Sequence, residues 1–571
     1  MKNKELAKIF SRIGDALEIK GEQFFKVVAY RKAERALEDL TEDIEVIARE
    51  KRLEEIPGIG SGIAKKIEEY LETGEMKKYK EVLSEIPESL LDLLEIQNVG
   101  ARTVQLAYKE LGVKNLEDLK RVIDNGSLVK LHGLGEKKVE NIKKGIEIYE
   151  LAQERIPIHE AIHLAEEVIA HLKKSPHVGR ISSAGSLRRM RETVGDIDIL
   201  ATGKKGAEII HFFTRFAGVS RVLASGETKG SAMISTERGE RQVDLRIVKE
   251  SEYGAALQYF TGSKSHNIKL RAMARKKGLK ISEYGVFKDG KKVAGYDEEE
   301  VYAALGLPLI LPEMREDRGE IELALENKLP QLVDYPDIRG DLHVHSSYSD
   351  GNLSLRELVK LARSLNYEYL GVCDHSQSAK YAHGLTVERL LEQMKEIDEL
   401  NSELKDFRIL KGTEVDILPD GHLDFPDEIL KSLDIVIAAI HSGFKKNVTE
   451  RMLRAMENPH VCLIAHPSGR LISKREGYDV DLEKVLKAAQ KTGKALELNA
   501  YYDRLDLNEL YLKKAKEMGI KIGIGTDTHY AKGLLMMRFG VGIARRGWLE
   551  KKDILNCLRY RDLLKSLGNK H

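Results

Sequence analysis

Apolar positions in the first 155 residues recur every three or four places, as at Leu6, Ile9, Phe10, Ile13 and Leu17. That period predicts a region that is nearly all helix. From residue 156 the pattern changes. Strand-like apolar runs at 197–201 and 242–248 lie between helical segments, which predicts an α+β module with a mixed sheet. Residues 317–338 carry many charges and two prolines, and read as a short helix with a linker. From Asp341 onward short apolar runs (YLGVCDHS, DIVIAAIHS, VCLIAHPS, ALELNAY, IKIGIGTDTH) alternate with amphipathic helices. That rhythm predicts a βα repeat closing into a barrel-like domain, with polar residues at the C-terminal ends of its strands.

Composition bounds the picture. A chain of 571 residues is too long for one core and implies roughly three to five domains. Hydrophobic content of 42% excludes wholesale disorder. With 93 Lys+Arg against 92 Asp+Glu, bulk charge cannot be the way this chain holds a polyanion. The first 155 residues carry 28 basic and 31 acidic residues, while residues 156–316 carry 26 and 21, so the middle is the cationic part. Three cysteines exclude a disulfide scaffold and fit a reducing cytoplasm. No apolar run reaches the ~20 residues that span a bilayer, so no membrane partner is expected.

Within the helical region one short pattern occurs three times: IPGIGSGIAKKI (56–67), IQNVGARTVQLA (96–107) and LHGLGEKKVENI (131–142). Each is an apolar residue, a tight turn and a helix start. Free N–H groups at such a start can face a phosphate oxygen without any lysine. The pattern resembles the helix-hairpin-helix, which grips DNA backbone through Gly58 and Gly60, Gly100, and Gly133 and Gly135. Asn98 replaces the first glycine of the second copy, which makes that copy the weakest of the three candidates to bind, with packing alone as its alternative. Upstream, FFKVVAYRKAERAL (24–37) resembles the small N-terminal domain of DNA polymerase beta. The resemblance places Lys26, Tyr30 and Arg31 against the 5′-phosphate side of a gap. It places Lys66 where some relatives form a Schiff base in abasic-site lyase chemistry, with crowding by Lys65 lowering its pKa.

AGSLRRMRETVGDIDIL (184–200) carries two aspartates two apart, so Asp196 and Asp198 face one side of a strand. Asp244 sits mid-strand in RQVDLRIV, where an acid is costly unless paired or metal-bound. Three such carboxylates make a site for two Mg²⁺ or Mn²⁺. Gly185, Ser186 and Arg189 precede them, with Gly195 in the turn, and suit a triphosphate. This set resembles the nucleotidyltransferase palm. YFTGSKSHNIKLR (259–271) resembles the nucleotide-binding helix of family X DNA polymerases. By that resemblance Tyr259, Phe260 and Gly262 line the sugar, Asn267 reaches the nascent base, Arg271 contacts the template and Lys229 lies near the primer–template backbone. Gln242 stands where vertebrate members carry an arginine that braces the carboxylates, so bracing is expected from Arg241 or Arg246.

After residue 340, His343, His345, Asp350, His375, Glu414, His441, His466, Asp527 and His529 follow successive apolar strands. Mixed imidazole and carboxylate ligands suit Zn²⁺, Mn²⁺ or Fe²⁺, and nine of them suggest two or three ions and phosphoester hydrolysis. The set resembles the PHP (polymerase and histidinol phosphatase) domain. His383, His422, His460 and Cys373 read as packing or surface residues. Arg470 and Lys474 are candidates to hold a DNA phosphate.

The expected fold is multidomain α+β. It runs through a helical DNA-binding domain (1–85), a second hairpin domain (86–155), a palm (156–255), a thumb-like nucleotide-binding domain (256–316), a linker (317–338) and a (β/α) barrel-like PHP domain (339–571). This order resembles bacterial and archaeal family X DNA polymerases. The resemblance implies a cytoplasmic, monomeric repair enzyme that fills short gaps in DNA with dNTPs. Its PHP domain would hold Zn²⁺ or Mn²⁺ and act as a 3′-5′ exonuclease or at abasic sites. Two alternatives remain: a PHP domain acting on a small phosphoester, and a DNA-bridging scaffold with weak polymerase activity.

Overall fold

The computed structural model describes residues 2–568 apart from 97, 152–154, 237, 473, 474 and 476. Its chain divides into two compact units, Met1–Arg155 and Ile156–His571.

The first unit is helical, as its apolar period predicts. Leu6, Phe10, Ile13 and Leu17 of helix Lys2–Lys20 are all buried against the remaining helices. The three hairpins share one backbone design. In each, the apolar residue of the turn is buried (Ile59, Val99, Leu134) and its N–H bonds back three residues, to Ile56, Ile96 and Leu131, at 3.0 Å. The helices Ser61–Thr73, Ala101–Leu111 and Glu136–Leu151 then begin.

Among the described residues the second unit holds four sheets, of two, three, five and seven strands. Five strands form a mixed sheet in the order Val178–Ser183, Ile197–Gly203, Gly239–Val248, Lys229–Thr236, Val219–Ser225. Only Ile197–Gly203 and Gly239–Val248 run parallel. Helices Tyr253–Thr261 and Lys264–Lys276 follow, with a three-stranded antiparallel sheet over residues 279–294. The segment 317–338, expected as a helix and linker, holds helix Glu320–Leu325 and is packed. Ile321, Ala324 and Leu332 share a core with Val301, Tyr302 and Trp548.

Seven parallel strands from Gly340–Val344 to Ile522–Gly525 lie in chain order. The sheet nearly closes on itself: Val344 bridges Thr528, and the His345 N–H donates to the Thr528 carbonyl at 2.9 Å. This near-closure gathers the strand ends into one ring.

Candidate active sites

In the palm sheet, parallel pairing sets Asp198 directly opposite Asp244. Asp196 lies in the turn just before the strand begins at Ile197. Burial first, then Asp196 and Asp244, push the Asp198 carboxyl up to about 8. Three acids this close are a site that needs cationic charge. Gly185 is required twice over. Its φ is +62°, and a Cβ there would lie 2.4 Å from Asp198 Oδ2.

The brace on Asp244 differs from the expectation. Gln242 itself donates to Asp244 Oδ1 at 2.8 Å, Ser231 Oγ donates to the same oxygen at 2.5 Å, and Lys229 Nζ lies 3.2 Å from Oδ2. Arg241 instead faces Glu160, and Arg246 stacks on Phe260 with 4.6 Å to the ring centre. Neither guanidinium bonds Asp244, although Arg246 lines the same cavity as Asp198 and Asp244. Lys229, expected at a nucleic-acid backbone, is paired with Asp244.

Arg189 is likewise engaged within the protein. It donates to the Thr261 carbonyl at 2.5 Å and to Glu316 at 3.1 Å. Asn267 has both ends of its amide satisfied, accepting from Gln258 at 2.7 Å and donating to the Tyr259 carbonyl at 2.8 Å. Tyr259 and Phe260 meet edge to face beside the acids, and Arg271 Nε bonds the Asn267 carbonyl at 3.3 Å. Beside them His266, which no motif singled out, is fully buried between Glu320 (2.6 Å) and the Tyr302 hydroxyl (2.9 Å).

At the barrel mouth the structure brings together all nine strand-end residues. His345 Nε2 lies 3.2 Å from His343 Nε2 and 3.1 Å from Asp527. His529 Nε2 is 3.3 Å from Asp350. Glu414 stands at the centre, with His441 at 3.3 Å and His466 at 3.0 Å from one oxygen and His375 at 2.9 Å from the other. Three overlapping groups of ligand atoms are close enough to hold cations: His345, Asp350, His375 and His529; His343, His345 and Asp527; His375, Glu414 and His441.

The donor set fits metal. His345 Nδ1, His375 Nδ1, His466 Nδ1 and Glu414 Oε2 are buried and make no hydrogen bond. His375 Nδ1 and Glu414 Oε2 lie 2.9 Å apart without a hydrogen bond, so both buried atoms are open to a cation. Burial, with His375 and His529 nearby, pushes His345 down to about 3, so it is a neutral donor near pH 7. Burial opposes the charging of His441, but Glu414 and Asp416 overcome it and push the ring up to about 10.

Several supporting residues carry no signal in the motif. Glu497 Oε1 lies 2.6 Å from His343 Nδ1, and Asp416 Oδ1 lies 2.6 Å from His441 Nδ1. Each carboxylate holds one ring nitrogen's proton and turns the other nitrogen to the cage. Arg504 Nε lies 3.4 Å from Asp527, with its Nη1 buried and unbonded. The signal for Glu497 was its place inside an apolar strand, as for Asp244. His422 pairs with Asp420 and Arg454, away from the cage. Cys373 is buried in the strand layer. Arg470 is not free for a phosphate: it forks onto Glu192 and the carbonyls of Arg504 and Leu505. Lys474 lies outside the described residues.

In the helical unit Gly58, Asn98 and Gly133 take the same left-handed turn, with φ of 101°, 68° and 81°. Asn98 thus does the work of glycine, which Asn tolerates better than other side chains. Gly60, Gly100 and Gly135 follow with no positive φ, and a Cβ on any of them would meet open space. Of the upstream residues, Lys26 is exposed beside Glu22. Tyr30 is buried against Phe10. Arg31 is held by Asp15, Glu34 and Ser11, so it does not present a free guanidinium. Burial first, then Lys78, lower the Lys66 amine; Lys65 is not the cause.

Family sequence patterns match along the chain: a helix-hairpin-helix domain at 1–76, a SAM-like helix-hairpin-helix tandem at 90–147, the DNA polymerase beta palm at 155–249, its thumb at 256–316 and a PHP domain at 341–501. The chain is 42% identical to the DNA polymerase/3′-5′ exonuclease PolX of Bacillus subtilis (strain 168), over 99% of both chains. It is 27% identical to DNA polymerase lambda of Rattus norvegicus, over 53% of this chain and 54% of that one. A probable phosphatase of Thermoanaerobacter sp. (strain X514) is 34% identical over 28% of this chain and 67% of its own. Among the described residues no helix is long and apolar enough to cross a membrane.

Proposed function

Since the chain belongs to the family X DNA polymerases that carry a C-terminal PHP domain, we propose that it fills short gaps in DNA during repair and trims 3′ ends with its barrel. The observation that carries this reading is two separate cages in one chain. One is the aspartate trio set by the Asp198–Asp244 register, and the other is the buried histidine and carboxylate ring at the barrel mouth.

In the palm, Asp196, Asp198 and Asp244 would hold two Mg²⁺ or Mn²⁺, and the barrel ligands two or three Zn²⁺ or Mn²⁺. Bound there, such ions supply positive charge to phosphate oxygens and make a hydroxyl or water a better nucleophile. The chain's own part is positioning. Gln242, Ser231 and Lys229 fix Asp244. Gly185, Ser186, Arg189 and Gly195 bind the triphosphate, Arg189 leaving Glu316 to do so. Tyr259, Phe260 and Gly262 line the sugar, and Asn267 and Arg271 meet the nascent pair and template. Glu497 and Asp416 orient the barrel histidines.

The hairpins hold gapped or primer-template DNA by backbone N–H groups at Gly60, Gly100 and Gly135. The open space at these glycines supports that reading, since neither conformation nor packing demands glycine there. All three copies bind in this reading, because Asn98 reproduces the turn. Lys66, with its lowered amine, serves abasic-site lyase chemistry. The enzyme acts as a cytoplasmic monomer, with domains bounded at residues 85, 155, 255 and 338, the segment 317–338 packing with the thumb-like domain.

Asp196→Ala with Asp198→Ala in the full chain is expected to abolish nucleotide incorporation into gapped DNA and leave 3′ degradation intact. His343→Ala is expected to do the reverse. Incorporation that survives the double substitution would sink the palm assignment. The phosphatase likeness of the barrel favours one second reading, hydrolysis of a small phosphoester. Degradation of sugar phosphates but not of single-stranded DNA by the full chain would select it.

A further inference from the structure

The loop that carries Arg189 is held from the barrel side. Helix Met537–Arg546 of the barrel ends on Arg546, which is 2% exposed. Its guanidinium donates to the Arg189 carbonyl at 2.7 Å, to Glu316 at 3.0 Å and to Glu509 at 2.7 Å. The same Glu316 oxygen accepts from Arg189 Nε at 3.1 Å. One turn back on the helix, Gly542 meets the next loop residue. A Cβ there would lie 2.2 Å from Met190 Cε, and Met190 itself has a φ of 55°. Arg470, also from the barrel, forks onto Glu192. Residues 189, 190 and 192 are therefore each met by a barrel side chain or helix.

We propose that Arg546 is a positioning residue for nucleotide binding, and that the barrel helix Met537–Arg546 is a structural part of the polymerase's triphosphate site. This rests on the polymerase reading of the palm. Two physical reasons support it. Arg546 fixes the Arg189 backbone through a charge-assisted bond, which sets where that side chain can reach. It also gives Glu316 a second cation. When Arg189 turns to a triphosphate, Glu316 would otherwise keep only the more distant guanidinium of Arg191, at 3.9 Å, a weak partner for a buried carboxylate. With Arg546 in place, Arg189 can be released.

The test is single-nucleotide incorporation on gapped DNA by full-length Arg546→Gln and Arg546→Lys, beside exonuclease activity and thermal melting. For Arg546→Gln, KM for the dNTP is expected to rise roughly tenfold, as a displaced binding group would cause. KM for the gapped DNA and exonuclease activity should stay unchanged, and Arg546→Lys should recover part of the loss. A folded Arg546→Gln enzyme with unchanged KM for the dNTP overturns the proposal. So does an equal loss of both activities with a lowered melting temperature, which would mark Arg546 as a general scaffold. If Arg546→Gln does not fold, Glu509→Gln weakens the same anchor and is read in the same way. A wild-type chain that incorporates no nucleotide would overturn the polymerase reading itself, a separable outcome.

Discussion

A carboxylate set into an apolar strand needs partners, and Asp244 has Gln242, Ser231 and Lys229. A hydrogen bond to a charged group contributes about 1.5–3 kcal/mol. Gln242→Ala should therefore slow incorporation by about tenfold or more, read as kcat on gapped DNA, with exonuclease activity unchanged. At the barrel, Glu497 fixes the proton on His343 Nδ1. Removing such an outer partner commonly weakens metal binding by about 10–100-fold. Glu497→Gln should show that loss in a direct zinc or manganese titration, before any activity is measured. Neither brace was legible as a role. Gln242 read as a departure from family pattern; two residues before Asp244 it shares that residue's face of the strand, and the structure shows the hydrogen bond between them.

At the scale of elements, the helix-hairpin-helix was legible because it is local. Turn, buried apolar residue and helix start all fall within a few residues. Asn98 shows the limit: a residue type suggested a weakened copy, while its φ shows a turn like the other two. Alanine at Gly60, Gly100 or Gly135 meets no clash, so each should cost about 1 kcal/mol of stability or less, as at other helix N-caps. DNA affinity should nevertheless fall, alike for all sequences, because the grip is on backbone phosphates. A binding assay on duplexes of unrelated sequence, paired with a melting curve, checks both halves. Arg31 and Arg470 are the opposite case. Each looked free on a surface helix or loop, and each is claimed by a carboxylate distant in sequence: Asp15 and Glu192.

At the scale of the whole molecule, the palm, the thumb-like helices and the barrel form one compact unit, apart from the helical one. Trp548 of the barrel half is buried with Leu332 and Met314, and Arg546, Glu316 and Glu509 share one network. A fragment spanning 156–571 should therefore melt in a single calorimetric transition, whereas cutting near residue 316 should leave neither piece stable. Acid should weaken the same unit. Burial alone would raise Glu298 and Glu316, but Arg315 and Arg188 for the first, and Arg546 and Arg189 for the second, outweigh it and hold both at about 2. Carboxyls held below their ordinary 4.5 contribute stability that is complete above that pH. It is lost as pH falls from about 4.5 toward 2, which the melting temperature of the 156–571 fragment should track.

By itself the sequence determined what local rules can specify. The helical period, the three hairpins, the alternating strands and helices, and both sets of chemical residues are encoded over short stretches, where backbone geometry fixes which side chains share a face. Only the tertiary structure decided which distant residue answers each charge. Register set Asp198 against Asp244, the barrel drew nine strand-end histidines and carboxylates into one ring, and packing turned an expected linker into a shared core. Those outcomes depend on burial, where a charge must find a partner wherever the fold brings one, and sequence distance carries no record of that meeting.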